Sequence, residues 1–263
     1  MYTFEYQRPA SVKQALALLE SGGRALAGGQ TLLASMKLRL ARVDTLVDLG
    51  AIPELTEIRR DGNGLWIGAM ARHADVATHA DVLAAIPALA ELAGHIGDMQ
   101  VRSMGTLGGS VANNDPAACY PAALLALGAT IHTSRRSVAA DDFFTGMFST
   151  ALGDGELITA VHFPVPRRAA YMKFKQAASR FALVGVFVAQ TDIGVRVAVT
   201  GAANGVFRHA GLEQALGRSF TVQTAAAVQI DPSDLNSDMH ASAAYRAHLI
   251  RVQTQRAVAK ALS

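Results

Sequence analysis

The sequence predicts an α+β chain in two parts, residues 1–166 and 167–263. Three observations carry this reading. Short helical and β-like segments alternate irregularly up to Pro164 and Pro166, which end the last strand of the first part because proline lacks a backbone donor. Beyond them, Tyr171–Ala177, Ala182–Thr191 and Val195–Ala202 follow one another as strands, the pattern of an antiparallel meander. From Gly211 onward the pattern is helical, with an apolar stripe along Ala241–Leu262.

The elements of the first part follow in order. Tyr2–Arg8 alternates aromatic and polar residues, as a short strand does. Ser11 is placed to cap a helix over Val12–Glu20, which stops at Ser21-Gly22-Gly23. A short strand, Arg24–Ala27, runs through Gly28-Gly29-Gln30-Thr31 into a helix over Leu32–Leu40. Thr45–Leu49 is a strand, and Leu65–Ile67 another beyond the Asp61–Gly64 turn, with Trp66 assigned to the core. Helices are predicted over Ala74–Ala80 and Asp81–Leu92, the second interrupted at Pro87. A glycine-rich stretch, Ile96–Pro121, leads into a helix over Ala122–Ala129 and a strand over Ala129–Thr133. Arg135–Val138 turns into a further strand, and Glu156–Phe163 alternates as a strand up to the prolines.

Composition excludes several classes. Of 263 residues, 51% are hydrophobic and 17% charged, enough for a core without disulfides or structural metals. The single cysteine, Cys119, excludes an intrachain disulfide, a cysteine-held zinc site and an iron–sulfur cluster within this chain. Lying between Ala118 and Tyr120, it reads as a small buried hydrophobe. The eight histidines show neither H-E-x-x-H nor other paired ligand spacing, so no metal site is expected, and no G-x-S-x-G elbow is present. The start M-Y-T-F-E-Y is unlike a signal peptide, and no apolar run reaches membrane-spanning length. A cytoplasmic protein without a membrane span is expected. The net charge of +3 hides an asymmetry: residues 1–165 carry twelve Lys/Arg against sixteen Asp/Glu, residues 166–263 twelve against five. The arginines of the basic half are scattered and lack an aromatic platform, which argues against nucleic acid. They are expected to offer a docking surface to an acidic partner, with Arg246, Arg251 and Arg256 contributing.

Two glycine-rich stretches are the candidate binding elements. In Gly28–Thr31, a turn opens a helix whose first N–H groups lack partners, and Thr31 adds a hydroxyl. In Thr106–Ser110, Gly108 and Gly109 lie between two hydroxyl side chains. Glycines allow close backbone approach, and N–H groups beside hydroxyls suit an anion such as a pyrophosphate. The spacing is neither G-x-G-x-x-G nor a phosphate-binding G-x-x-x-x-G-K-[ST], so any nucleotide is held in another way. Lys175, in a β-like segment, is a candidate cation facing a ligand, and Asn113-Asn114-Asp115 a polar cluster that serves equally well to satisfy turn backbone. No acid–base or nucleophile pair emerges, so no catalytic residue is assigned.

In their order and surroundings these stretches resemble one family. A-G-G-Q-T at Ala27–Thr31, Q-V-R-S-M-G-T-L-G-G-S at Gln100–Ser110, E-L-I-T-A-V-H-F-P at Glu156–Pro164 and F-K-Q-A-A-S-R at Phe174–Arg180 are similar to the FAD-binding medium subunit of the molybdenum hydroxylases, the xanthine dehydrogenase and aerobic carbon monoxide dehydrogenase group. The resemblance spans nearly the whole chain. It implies a two-lobed, PCMH-type FAD-binding domain over 1–166 and a small C-terminal domain over 167–263 with a three-stranded antiparallel sheet and helices. It implies FAD contacts from Leu26, Ala27, Gly28, Gly29, Gln30, Thr31, Leu32 and Leu33, from Thr106, Gly108, Gly109 and Ser110, from apolar Ile96 and Ile158, and from Lys175 at the flavin end. Asn114 and Asp115 are counted with these cofactor-binding residues; Cys119 stands where many members carry an aspartate that holds the cofactor, and Asp115 or a backbone group is the candidate to replace it. The loop after Lys175 also lacks the acidic residue many members have, and Phe181 is the candidate cover for the ring.

The family role implies electron transfer from a partner's [2Fe–2S] clusters through FAD to NAD, oxygen or another acceptor. Molybdopterin and the clusters would then belong to a large and a small partner subunit, in a dimer of heterotrimers. A stand-alone flavin oxidoreductase of the same fold and a flavin-free scaffold subunit are the competing readings.

Overall fold

A computed structural model describes residues 1–263. The N-terminal lobe is built on β1 (Glu5–Gln7), α1 (Val12–Glu20), β2 (Arg24–Leu26), α2 (Leu32–Lys37) and β3 (Thr45–Asp48). Its three strands pair in parallel in the order β1-β3-β2. Parallel neighbours require crossovers, which the two helices provide. Ser11 caps α1 by accepting from the Gln14 N–H. Ala15 of α1 packs with Val47, Leu49 and Ile52, and Met36 of α2 with Leu26 and Leu46, so each helix closes its own small core.

The second lobe begins with the hairpin β4 (Ile58–Asp61) and β5 (Gly64–Gly68). Six helices follow: α3 (His73–Thr78), α4 (Ala80–Ala85), α5 (Pro87–Gly94), α6 (Met99–Met104), α7 (Leu107–Asn113) and α8 (Tyr120–Leu127). The break between α4 and α5 falls at Ile86–Pro87, where proline cannot continue the preceding helix but suits the first turn of the next. All eight residues of α8 are buried, and Gly128, at φ 63°, ends the helix in the left-handed region. Then come β6 (Thr130–Thr133), β7 (Ser137–Ala139), α9 (Ala140–Phe143), the small hairpin β8 (Phe144–Gly146) and β9 (Ser149–Thr150), and β10 (Ile158–Pro164). The sheet order β4-β5-β10-β6-β7 is antiparallel throughout.

Strand alternation sends Leu65, Ile67, Ile131, Val161 and Phe163 into the core under the helices. Trp66 therefore points the other way. It is half-buried on the outer face, with the Arg59 guanidinium 5.1 Å from its ring and His132 4.6 Å away, which corrects its assignment to the core.

The last part contains β11 (Arg168–Lys175), β12 (Ala182–Thr191), β13 (Gly194–Thr200) and β14 (Phe207–Arg208), followed by α10 (Ala210–Arg218), α11 (Val222–Ala227) and α12 (Ala243–Leu262). The antiparallel meander has a fourth strand beyond the three expected, because the two residues of β14 are too few to show alternation. The sheet is covered on both faces. Tyr171, Phe187, Ala189 and Ala198 join the core of the second lobe, while Val184, Val186, Val188, Val197 and Val199 pack on Leu212, Leu249, Ile250 and Val258 of the helices. Burial on both faces is why β12 reads as a nearly continuous apolar run.

Charge joins the parts. Arg196, 7% exposed, donates to both carboxylate oxygens of Asp141 at 2.6 Å, and Arg208 approaches the same carboxylate. Lys260 of α12 pairs with Glu91 of α5. The basic excess of the second part thus partly meets acids of the first. Arg246, offered above as a docking residue, is 3% exposed: it pairs with Asp238 at 2.7 Å and donates to the carbonyls of Leu183 and Gly201. It is a structural strut, unavailable to a partner. No helix is long and apolar enough to cross a membrane.

Candidate functional site

A cavity of about 810 Å³ lies between the two lobes, with one further wall from the C-terminal part. The N-terminal lobe contributes the turn after β2. There the N–H groups of Gly28, Gly29, Gln30, Thr31 and Leu32 donate to no acceptor in the protein. Thr31 stands at the N-cap position of α2, but its backbone is already helical and its side chain makes no capping bond. A row of unpaired N–H groups at a helix start, with a free hydroxyl beside it, is an anion cradle. Gly29, at φ 70°, turns the chain through it.

The second glycine stretch works differently. It is not a loop: Thr106 is the N-cap of α7, accepting from the Gly109 N–H at 3.1 Å. The N–H groups of Leu107, Gly108 and Ser110 go to Ala71, Ala69 and Thr106 carbonyls, so this stretch presents hydroxyls rather than free amides. Its glycines serve packing. A Cβ on Gly108 would come within 2.5 Å of the Ala69 Cβ. Across the cleft, a Cβ on Gly28 would lie 2.2 Å from the Met104 carbonyl oxygen and 2.6 Å from the Gly105 Cα. Absence of that carbon lets the two stretches touch, backbone to backbone, and form one seam.

Of the residues implied by the resemblance, Leu26 to Leu32, Ile96, Thr106, Gly108, Gly109, Ser110, Asp115 and Ile158 all line the cavity. Three do not. Leu33 packs with the small core of the first lobe. Asn114, 2% exposed, ends α7 in the left-handed region at φ 43° and donates its amide N–H groups to the Gly146 and Ser149 carbonyls at 2.8 Å each, clamping the β8–β9 hairpin. Lys175 is exposed and off the lining; the lysine on the wall is Lys173. A bulge between Phe174 and Lys175 breaks the two-residue alternation that would have put both on one face. Lys173 Nζ donates to the His95 carbonyl at 3.1 Å and to the Cys119 sulfur at 3.3 Å. Cys119 itself is buried, as its neighbours in sequence predicted, although it also borders the cavity.

The remaining wall is the turn Gly153–Glu156, together with Ser179, Arg180 and Phe181. Glu156 fixes that turn. Its side chain is 2% exposed and accepts from the Gly153 N–H at 2.8 Å, the Thr133 hydroxyl at 2.6 Å and Arg136 Nε at 3.2 Å. Burial alone would raise its pKa, but these hydrogen bonds and the Arg136 charge outweigh burial and bring it down to about 2. His73, 5% exposed, is also on the lining; burial, helped by the nearby Arg102 charge, lowers its pKa to about 4, so the ring is neutral. Sequence reasoning missed Lys173, Glu156 and His73. An alternating strand nominates Lys173 as readily as Lys175, but the other two carry no local signal.

A two-lobed α+β fold with an amide- and hydroxyl-lined cleft between its lobes defines a protein that binds an anionic, nucleotide-like cofactor; the volume lies within the range of such sites, about 300–1,000 Å³. The chain belongs to the family described as the FAD binding domain in molybdopterin dehydrogenase, which it matches over residues 2–166, and is of the medium-subunit type of the molybdenum hydroxylases. It is 36% identical to the carbon monoxide dehydrogenase medium chain of Hydrogenophaga pseudoflava and 35% identical to the glyceraldehyde dehydrogenase medium chain of Sulfolobus acidocaldarius, in each case over 97% of this chain and 96% of the relative. The solved quinoline 2-oxidoreductase from Pseudomonas putida 86 superposes with a TM-score of 0.91 at 32% identity, covering 99% of this chain and 97% of that one.

Proposed function

We propose that this chain is the electron-transfer subunit of a molybdenum hydroxylase complex, and that the interlobe cavity holds FAD. Residues 1–166 would form the cofactor domain and 167–263 the C-terminal domain that closes one wall. The observation carrying this reading is the row of unpaired N–H groups from Gly28 to Leu32, facing a cavity of about 810 Å³. These groups and the Thr31 hydroxyl would hold the pyrophosphate from one side, with the Thr106 and Ser110 hydroxyls on the other. Leu26, Ile96 and Ile158 would enclose the apolar parts of the cofactor. Lys173, rather than Lys175, would present the cation at the end bordered by Cys119 and Phe181.

Bound FAD supplies the exchange of electrons between one-electron and two-electron partners. The protein's part is to position and to exclude water. The Glu156–Arg136 pair holds one wall, and Asn114 ties the adjacent hairpin to the end of α7. With one cysteine the chain cannot carry iron–sulfur clusters. The clusters and molybdopterin would therefore reside in a small and a large partner subunit. NAD, oxygen or another carrier would act as acceptor, and a dimer of heterotrimers is the expected assembly. The complex would hydroxylate its substrate elsewhere: relatives of nearly equal length are named for carbon monoxide and for glyceraldehyde.

The test is direct. Purified chain titrated with FAD should develop flavin absorbance that remains after gel filtration, whereas FMN, lacking the adenylyl half, should wash away. Co-expression with the neighbouring subunits should give a complex carrying iron, molybdenum and flavin together. Chain that stays colourless with excess FAD refutes the cofactor reading.

A further inference from the structure

His73 is a buried titratable side chain on the cavity wall to which the proposed function gives no task. It opens α3, and its backbone N–H donates to the Gly105 carbonyl at 2.9 Å. Its ring lies 5.4 Å from that of Tyr120, tilted by 47°. The two ring nitrogens differ in their surroundings. Nδ1 is fully enclosed and has no hydrogen-bond partner. Nε2 has no protein partner either but is not enclosed, and it lies on the Gly105 side of the ring: a Cβ added to Gly105 would come within 2.6 Å of it. Gly105 is also the residue that meets Gly28 across the cleft. Gly28, Gly105 and the Nε2 edge of His73 therefore touch in succession, at the seam where the two glycine stretches join.

From this geometry we infer that His73 is a cofactor-binding residue, whose Nε2–H donates a hydrogen bond to a pyrophosphate oxygen of the bound dinucleotide. The inference rests on the FAD reading and adds a side-chain donor to the seam. The choice of tautomer follows from enclosure. A proton on Nδ1 would bury a donor with nothing to accept it, which costs more than leaving a lone pair there. The proton therefore resides on Nε2, the nitrogen facing the cleft. A neutral ring suits the place, because a second positive charge beside Arg102 in a buried site is costly. The imidazole thus supplies one directed donor without adding charge, as the free amides of Gly28–Leu32 do.

The experiment titrates purified wild-type, His73→Ala and His73→Gln chains with FAD and, separately, with ADP, which carries a pyrophosphate but no flavin. Glutamine places an amide N–H near the position of Nε2. The expected result is a dissociation constant raised about 10- to 100-fold in His73→Ala for both probes, the loss of one hydrogen bond to a charged group, and restored to within a few-fold by His73→Gln. On ¹⁵N-histidine-labelled wild type, ADP should shift the His73 Nε2 signal and leave it protonated, a response that a purely structural histidine would not show. Unchanged affinity in His73→Ala overturns the inference while leaving the FAD reading intact. Loss for FAD with none for ADP overturns the pyrophosphate assignment. If wild type binds neither probe, the parent reading falls and this inference with it.

Discussion

Removing the Asp141 carboxylate tests how the C-terminal part is held. Arg196 on β13 reaches Asp141 across the boundary with both N–O distances at 2.6 Å, and its side chain is only 8% exposed. Its Nε has no partner, so Asp141 carries nearly all of the compensation for that charge. Breaking a buried pair by deleting one member costs about 3–5 kcal/mol, because the other charge is left stranded. Asp141 is itself 42% exposed, and water entering the vacated space reduces the penalty. An Asp141→Ala cost of about 2–3 kcal/mol follows, or roughly 4–12 °C in Tm for a chain of this size. Asp141→Asn, which keeps one acceptor, should recover part of the loss. Arg196→Met paired with Asp141→Ala should be more stable than Asp141→Ala alone, since no charge is then buried. Differential scanning calorimetry of the four proteins decides the matter. A Tm shift below about 1 °C in Asp141→Ala would show that the pair does not couple the two parts.

Four other outcomes are expected. Glu156 has a folded-state pKa of about 2 against an ordinary 4.5, so its contribution is present above about pH 4.5 and lost as pH falls towards 2. That difference corresponds to about 2–3 kcal/mol after allowing for the exposure of Arg136, and urea melts of Glu156→Gln at pH 7 and pH 3 should show the full deficit at the first pH and less than half of it at the second. His73 acts in the same pH direction: its pKa is about 4 folded against 6.5 when unfolded, so the unfolded chain gains a proton first and stability declines as pH drops from 6.5 towards 4, a slope that His73→Gln should lack in the same melts. Gly28→Ala forces a methyl to within 2.2 Å of the Met104 carbonyl, so the seam must open; a stability loss of about 1–3 kcal/mol with FAD binding weakened more than about 10-fold is expected by denaturation and fluorescence titration. Lys173→Met should weaken FAD binding about 10-fold while Lys175→Met changes it less than about 2-fold, by equilibrium titration of both variants.

Much of this protein is written in short-range pattern. The capped α1, the turn from β2 into α2, the meander of β11 to β13 and the proline stop after β10 each depend on neighbours within a few residues, where propensity and capping act. The Gly28–Thr31 cradle was legible for the same reason, since its free amides follow from a turn that opens a helix. What required the tertiary structure depends on distant partners. A bulge in β11 decides that Lys173 faces the cavity and Lys175 does not. Trp66 lies outside because its sheet has one face towards the helices, and Arg246 is withdrawn from the surface by Asp238 and two carbonyls. The amides of the second glycine stretch are consumed by Ala69, Ala71 and Thr106, which no spacing rule reveals. Sequence by itself determined most of the elements, the free-amide turn at Gly28–Thr31 and the family resemblance. Only the fold decided which side chains reach the cavity, because register, bulges and long-range ion pairs are properties of packed neighbours rather than of the local chain.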